Sequence, residues 1–261
     1  AIEKAAELLV RAKNPVALAG YMGRNRESVG KLVELSDLLS LPVIDEMERF
    51  NFPNTHPLDL TGSDCLESAD VLLTLDVRDI AGPTTERDPD TKQLKSILPE
   101  NCQIIQMGFS DLNAKGWSMQ YEKLQEVDLS ILCDTSVALP ELVAKCREKL
   151  PNDAAAKEER ARRYETLSAK HAQLRSKWKE AARKNWDAKP MTGQRLASEI
   201  WEAIKTEDWV LTANSIRGWT RKLWDWDKPY RHVGESLGTA TQINISLGVA
   251  LAYKGTGKLV V

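Results

Sequence analysis

The sequence lacks the cysteine and histidine patterns on which zinc sites, disulfide frameworks and cysteine nucleophiles depend. Its four cysteines are spread without CxxC spacing or histidine neighbours, and its three histidines neither cluster nor recur at i, i+4 spacing. No GxSxG elbow is present either. We interpret the thiols as reduced and mostly buried in a cytoplasmic protein, and the histidines as non-catalytic. The residues concerned are Cys65, Cys102, Cys133, Cys146, His56, His171 and His232.

The sequence also lacks an excess of one charge and any long apolar run. Lys and Arg number 36 against 38 Asp and Glu, which argues against nucleic acid as a partner. Its apolar runs, such as 71–75 and 243–251, are far shorter than the roughly 20 residues that span a bilayer, so we expect no membrane partner. The chain opens on Ala1 and stops at Val261 within an apolar run. We expect it to be a piece of a longer protein.

What the first 147 residues do contain is an alternation of short β-branched runs with helical periodicity. This alternation is typical of an α/β fold with a parallel, Rossmann-like sheet and crossover helices. We predict helices around 5–12, 29–39 and 139–149, and a long surface loop over the Pro- and Asn-rich residues 45–64. The predicted strands are 15–19, 41–44, 71–75, 103–107 and 129–132.

Composition shifts at residue 152 towards Ala, Glu, Lys and Arg. We predict a solvated connecting helix over about 152–185, with opposite charges at helical spacing on its exposed face. Thr192 is the predicted N-cap of the next helix. A strand at 209–212, a helix at about 239–253 and a strand at 258–261 then indicate a second α/β unit. The predicted division is therefore 1–150, connector 151–190, and 191–261. The apolar face of the helix after Thr192 comprises Leu196, Ile200, Trp201 and Ile204.

Two turns in the first unit are candidates for binding a nucleotide. Glycines and an arginine follow the first strand, and an Asp/Arg turn follows the strand at 71–75, where parallel sheets place their ligands. Ordinary turn chemistry explains the glycines equally well, and the second arginine could instead pair with Asp76, Asp79 or a neighbouring subunit. The candidates are Gly20, Met22, Gly23, Arg24, Asp76 and Arg78.

Two further turns, 211–218 and 234–242, consist of small and polar residues between a strand and a helix. Their amides could face an anion, or they could be ordinary turns. In the following helix, Ser246 with Ala250 and Gly248 with Ala252 would allow close packing on a neighbour.

Taken in order, the segments 14–45, 69–79, 209–217 and 238–252 resemble the thiamine-diphosphate-dependent enzymes of the acetolactate synthase, benzoylformate decarboxylase and oxalyl-CoA decarboxylase type. They match the central domain and the start of the diphosphate-binding domain. The sequence departs from the family pattern at Ala213, where Asp is common, at Asn214-Ser215, and at 241–244, where a glycine and proline pair is usual.

The resemblance implies a cofactor site in the second unit. Four residues would lie beside the diphosphate, and four would border the thiazolium and aminopyrimidine. The family's Mg²⁺ motif would follow Val261, and its activating Glu belongs to an N-terminal domain. We therefore expect no metal ligand within this chain and no catalysis by it alone, and we assign no catalytic residue. The implied contacts are Asn214, Ser215, Ile216 and Arg217, and then Leu237, Gly238, Thr239 and Ala240.

The implied activity is thiamine-diphosphate- and Mg²⁺-dependent cleavage or formation of a carbon-carbon bond next to the carbonyl of a 2-oxoacid-type substrate. Active sites of this family form between subunits, so the resemblance implies a homodimer or homotetramer. It leaves open whether the central domain binds FAD, ADP, coenzyme A or nothing. The alternatives are a non-catalytic adenine-nucleotide-binding module and a degenerate relative that keeps only the fold.

Overall fold

The computed structural model describes residues 1–46, 49–109, 121, 124–212, 216, 218–234 and 241–261. In chain order its elements are α1 (Ile2–Arg11), β1 (Pro15–Ala19), α2 (Arg26–Leu39), β2 (Val43–Asp45), β3 (Val71–Leu75), α3 (Ala81–Thr84), β4 (Thr85–Arg87), β5 (Leu94–Ser96), β6 (Gln103–Gly108), β7 (Leu129–Leu132), α4 (Thr135–Lys149), α5 (Ala154–Arg183), α6 (Gly193–Ile204), β8 (Trp209–Val210), α7 (Trp219–Leu223), α8 (Thr241–Ala252) and β9 (Leu259–Val260).

Five parallel strands form the central sheet, in the order β2-β1-β3-β6-β7. β1 and β3 are buried along their whole length, as expected for parallel strands covered on both faces. Ala17 and Ala19 pack into one apolar cluster with α1, α2 and α4. Val16 and Leu18 point to the opposite cluster, which part of α5 covers. The predicted α/β class is confirmed.

The predicted surface loop at 45–64 is wrong. Phe50, Phe52, Leu58 and Leu60 are each 0% exposed, and residues 58–60 pair with Val43 at the start of β2. The Pro and Asn content indicated irregular backbone correctly, but it did not indicate burial. We call residues 49–60 the buried loop.

Two helix predictions also need correction. α4 begins at Thr135 rather than 139, because the Asp134 side chain accepts a hydrogen bond from the Ser136 amide at 2.9 Å and caps the helix. In α6, Thr192 is the N-cap as predicted. However, Leu196 is 43% exposed and does not join the apolar face.

The helix α5 is docked on the sheet unit rather than solvated all round. Leu167 and Leu174 pack against the sheet, and Arg163 donates to main-chain oxygens, among them that of Lys13 at 2.8 Å. Two further cations of α5 pair with other segments, Lys170 with Asp64 and Arg175 with Asp225. The long side chains therefore fix the connector in place.

A cluster of tryptophans forms the core of the C-terminal unit. The indoles of Trp201 and Trp224 are stacked with their centroids 6.0 Å apart, and Trp209 meets Trp224 edge-on at 5.2 Å. The strands β8 and β9 pair in parallel beside this cluster. In contrast, Ile243 of α8 is 73% exposed. The predicted packing of α8 on a neighbour therefore stays a prediction. The domain limits at 150 and 190 also stay predictions.

Candidate functional site

The carboxyl ends of β1 and β3 lie where the strand order of the sheet reverses direction. Crossovers leave to opposite sides of the sheet at such a point, which creates the crevice where open α/β sheets bind ligands. Both predicted turns, 20–24 and 76–79, lie at this position. The structure therefore brings the two turns together at one edge of the sheet.

The glycines at this edge allow close contact with the protein's own backbone. A Cβ on Gly20 would lie 2.7 Å from the Asp76 carbonyl oxygen, and one on Gly23 would overlap the carbonyl of Phe50. The Gly23 amide donates to Asn51 Oδ1 at 2.9 Å. The side chain of Met22 is fully buried in the core. These residues explain how the buried loop fits against β1.

The arginine of the first turn is bound by two carboxylates. The Arg24 guanidinium pairs with buried Asp76 and with Asp134 at 3.3 Å. Asp76 also accepts the Thr135 hydroxyl at 2.6 Å. The pKa of Asp134 is lowered, chiefly by the hydrogen bond from the Ser136 amide. Arg24 therefore forms structural ion pairs within the protein. This is the alternative that the sequence left open for Arg78.

Arg78, by contrast, is exposed beside an aromatic ring. Its guanidinium lies 4.7 Å from the centroid of the Tyr21 ring, and that of Arg49 lies 5.7 Å from the same ring. Of the six candidate nucleotide contacts, Arg78 is the most exposed.

Three charged side chains connect the buried loop to the C-terminal unit. The Arg221 guanidinium lies 3.2 Å from Asp59 and 3.5 Å from Asp45, and its side chain is only 5% exposed. We call these three residues the buried ion triad. The residues of one pair are 162 positions apart, so no sequence motif could indicate it.

A buried asparagine holds the same connection through main-chain groups. Asn54 Nδ2 donates to the carbonyl oxygens of Arg221 at 2.6 Å and Trp224 at 2.9 Å, while its Oδ1 accepts the Trp226 amide at 2.7 Å. Because α7 directly follows residues 213–217, these bonds fix the segment after the predicted diphosphate contacts.

Several buried polar atoms near the end of β8 have no hydrogen-bond partner within the part of the chain that the structure describes. Both ring nitrogens of His232 and the Nε and Nη1 of Arg221 are among them. His232 is 1% exposed and stacks on Trp226 at 4.7 Å. Burial lowers its pKa to about 4, with further contributions from the charges of Arg221 and Arg49. The sequence predicts that His232 is non-catalytic, and the spacing of the histidines does not indicate that this ring is buried.

The strands β8 and β9 present a second carboxyl edge. Thr212 donates its amide to the Val261 carbonyl at 2.8 Å, and its own carbonyl oxygen accepts from Gln242 and, at 3.3 Å, from Ser246. This brings the start of α8 to the end of β8. Gln242 Oε1 is buried there and has no hydrogen-bond partner among the described residues.

Most predicted cofactor contacts lie outside the described residues. Ile216 is described: it is partly buried and its φ of 49° is in the left-handed region. The contacts outside the described ranges are Asn214, Ser215, Arg217, Leu237, Gly238, Thr239 and Ala240.

Within the described ranges no group of three or more His, Cys, Asp or Glu side chains could hold a metal ion. No helix in those ranges is long and apolar enough to cross a bilayer.

Comparison with known proteins places this geometry in context. The family model described as the central domain of thiamine pyrophosphate enzymes matches residues 2–142. A structure from Mycobacterium smegmatis, proposed to be a thiamin diphosphate-dependent enzyme, is similar with a TM-score of 0.66 and 17% identity over 99% of this chain and 46% of that one. Benzoylformate decarboxylase from Polynucleobacter necessarius is similar with a TM-score of 0.64 and 15% identity, over 99% and 45%. No protein of curated function matches the sequence. The chain thus spans slightly less than half of these two structures.

Proposed function

Because the chain belongs to the thiamine pyrophosphate enzymes, by their central domain, we propose that it is part of a Mg²⁺-dependent enzyme that makes or breaks a carbon-carbon bond beside the carbonyl of a 2-oxoacid-type substrate. When bound, thiamine diphosphate supplies the ylid and the electron sink for this chemistry, and the protein supplies orientation and a water-poor, polar cleft. The reaction would be a decarboxylation or carboligation, as in acetolactate synthases.

The edge formed by β8, β9 and α8 is the observation that carries the proposal within this chain. Gln242 Oε1 is a buried acceptor that has no hydrogen-bond partner among the described residues, at the point where the strand and helix meet. Buried polar atoms are normally satisfied, so an unsatisfied one points to water or a ligand. The aminopyrimidine of the cofactor carries an amino donor that suits such an acceptor.

The chain's own residues would divide the work of binding. Gln242 and residues 237–240 would hold the pyrimidine side, and residues 214–217 the diphosphate, with Arg217 supplying positive charge. The buried ion triad would keep α7, and hence residues 214–217, aligned with the sheet unit. The Mg²⁺ ligands and the activating carboxylate would come from elsewhere in the protein. Because the active sites would form between subunits, the protein would be a homodimer or homotetramer. Its proposed location is the cytoplasm.

Native mass spectrometry of the purified protein with added thiamine diphosphate and Mg²⁺ tests the proposal, since one spectrum reports subunit number and retained cofactor. We expect one cofactor per subunit. Arg217→Gln should weaken retention at least about tenfold, because a charge-assisted hydrogen bond contributes roughly 1.5–3 kcal/mol. Lys222→Gln removes the same charge from α7 and is the matched control. Equal weakening by both variants would argue against a specific diphosphate contact.

A second candidate is the adenine-nucleotide module, favoured by the position of Arg78 and Tyr21 at the strand-order reversal of the sheet. FAD, ADP or coenzyme A would stack or pair there. Titration with ADP separates the two candidates. Micromolar binding of ADP that is lost in Arg78→Gln, together with no retention of thiamine diphosphate, would make the nucleotide module the better conclusion.

A further inference from the structure

A groove separates the C-terminal half of α5 from α6, on the far side of the connector from the sheet edge. Its volume is about 650 Å³, which lies within the range of about 300–1,000 Å³ typical of small-molecule sites. Ala182 and Leu223, both buried and apolar, are among its lining residues. We call it the connector groove. None of its lining residues belongs to the predicted cofactor or nucleotide contacts.

One wall of the connector groove is cationic. Arg175, Lys179 and Arg183 recur every four residues of α5 and therefore share one face of the helix. Arg175 is neutralised by Asp225 at 2.7 Å. Lys179 and Arg183 are exposed, and neither forms an ion pair with any described residue. The groove thus presents two uncompensated positive charges on one wall.

Two indoles line the same groove. Trp201 is held by its stacking on Trp224, whose Nε1 donates to the Ala197 carbonyl at 2.8 Å. The ring of Trp186 lies 5.1 Å from the guanidinium of Arg195. Both indoles are partly exposed. Because they are already fixed, a ligand that packed on them would lose little side-chain entropy.

The carboxylates near the groove are engaged. Both Asp225 and Glu202 line it: Asp225 binds Arg175, and Glu202 binds Lys205 at 2.5 Å. Neither forms an ion pair with Lys179 or Arg183. A neutral or cationic ligand would leave those two charges without a partner, whereas an anion would satisfy both.

We propose that the connector groove binds a small organic anion that carries a planar aromatic ring. Its anionic group would lie between Lys179 and Arg183, and its ring would pack on Trp186 and Trp201. The site is independent of the thiamine diphosphate proposal, because it uses neither the residues nor the cofactor named there.

Nuclear magnetic resonance of protein labelled with ¹⁵N-tryptophan tests this directly. The indole N–H signals of Trp186 and Trp201 are assigned from Trp186→Phe and Trp201→Phe. The probe is 1-naphthyl phosphate, and its two halves, inorganic phosphate and 1-naphthol, are the comparison ligands. We expect saturable shifts of both indole signals with 1-naphthyl phosphate, and at least about fivefold weaker binding of either half.

Charge variants identify the cations. Lys179→Gln and Arg183→Gln should each weaken binding of 1-naphthyl phosphate about three- to fivefold, since fivefold corresponds to about 1 kcal/mol, the upper value for an exposed ion pair. Lys177→Gln removes the same charge from α5 outside the groove and should change affinity less than about 1.5-fold. All three side chains are exposed, so the indole spectrum of the free protein should be preserved in each variant.

Three results would overturn the proposal. Shifts that do not saturate would show that no site exists. Equal weakening by Lys177→Gln and Lys179→Gln would show a diffuse charge effect. Binding of 1-naphthol as tight as that of its phosphate would show that the cations contribute nothing.

Discussion

The two carboxyl edges of the molecule differ in how completely they are satisfied. At the sheet edge, Arg24 is paired with Asp76 and Asp134, and the Gly23 amide bonds to Asn51. At the edge near β8, Gln242 and His232 retain buried polar atoms for which the described part of the chain offers no partner. Both edges follow parallel strands and both carry glycine-rich turns.

The comparison shows that a glycine turn after a strand does not distinguish a ligand site from a packing contact. The polar groups of the first edge are used to seat the buried loop, and those of the second are left available. Since unsatisfied buried groups are rare in folded proteins, they separate the two edges better than the sequence pattern does. The following variants test this contrast, from the largest expected effect to the smallest.

Removing Arg221 should have the largest effect. Arg221→Met would leave Asp45 and Asp59 buried without their cation, which typically lowers the free energy of unfolding by about 3–5 kcal/mol. Urea denaturation measures the change. Arg147→Met is the control, because its side chain is 58% exposed and its pair with Glu34 lies at the surface, where a pair is worth at most about 1 kcal/mol.

The triple variant Asp45→Asn, Asp59→Asn, Arg221→Met should recover part of the stability lost in Arg221→Met, because no charge is then left unpaired. If the single variant is as stable as the parent, the ion triad does not hold the two units together.

Acid should destabilise the protein through His232. The unfolded chain takes up this proton near the ordinary pKa of 6.5, whereas the folded protein takes it up only near about 4. A lowered folded pKa favours the unfolded state as pH falls through that window, so stability is complete above it. Between pH 7 and pH 5 the loss from this residue should be about 2 kcal/mol.

His232→Phe keeps an aromatic ring on Trp226 and removes the titrating group, so urea midpoints at pH 7 and pH 5 should differ less in the variant than in the parent protein. An identical pH loss in both proteins would show that His232 is not the group responsible.

The close contact of the first turn should be visible in Gly23→Ala. Its Cβ would overlap the Phe50 carbonyl, so the buried loop must shift, and the strain should lower the free energy of unfolding by about 1–2 kcal/mol. Gly30→Ala is the control within the adjacent α2, where a Cβ meets nothing within 4 Å. It should stabilise by up to about 1 kcal/mol. Thermal unfolding of both variants checks the contrast, and similar melting temperatures would contradict it.

Sequence periodicity predicted the sheet unit well because its elements are local. The runs at 15–19, 71–75 and 129–132 coincide with β1, β3 and β7. A continuous apolar run is what a strand buried on both faces requires. The capping residue Thr192 was predicted for the same reason: its hydrogen bond spans three residues.

Sequence could not predict what depends on distant contacts. Irregular backbone at 45–64 was evident, but its burial depends on Arg221 and Trp226, far along the chain. Leu196 follows the apolar period of α6, yet no segment covers it. The cofactor contacts came from resemblance, and most of them lie outside the described residues, so they stay predictions.

The smallest effect should come from Arg78→Gln. Its guanidinium contributes an exposed contact with the Tyr21 ring, worth about 0.5–1 kcal/mol at most, so the free energy of unfolding should change by no more than that. Urea denaturation measures it, and Gly23→Ala from the same edge is the reference. A loss above about 2 kcal/mol would show that Arg78 belongs to the internal packing like Arg24, and it would count against an adenine-nucleotide site that uses Arg78. A small loss leaves Arg78 as the residue on which an adenine-nucleotide site at this edge would depend.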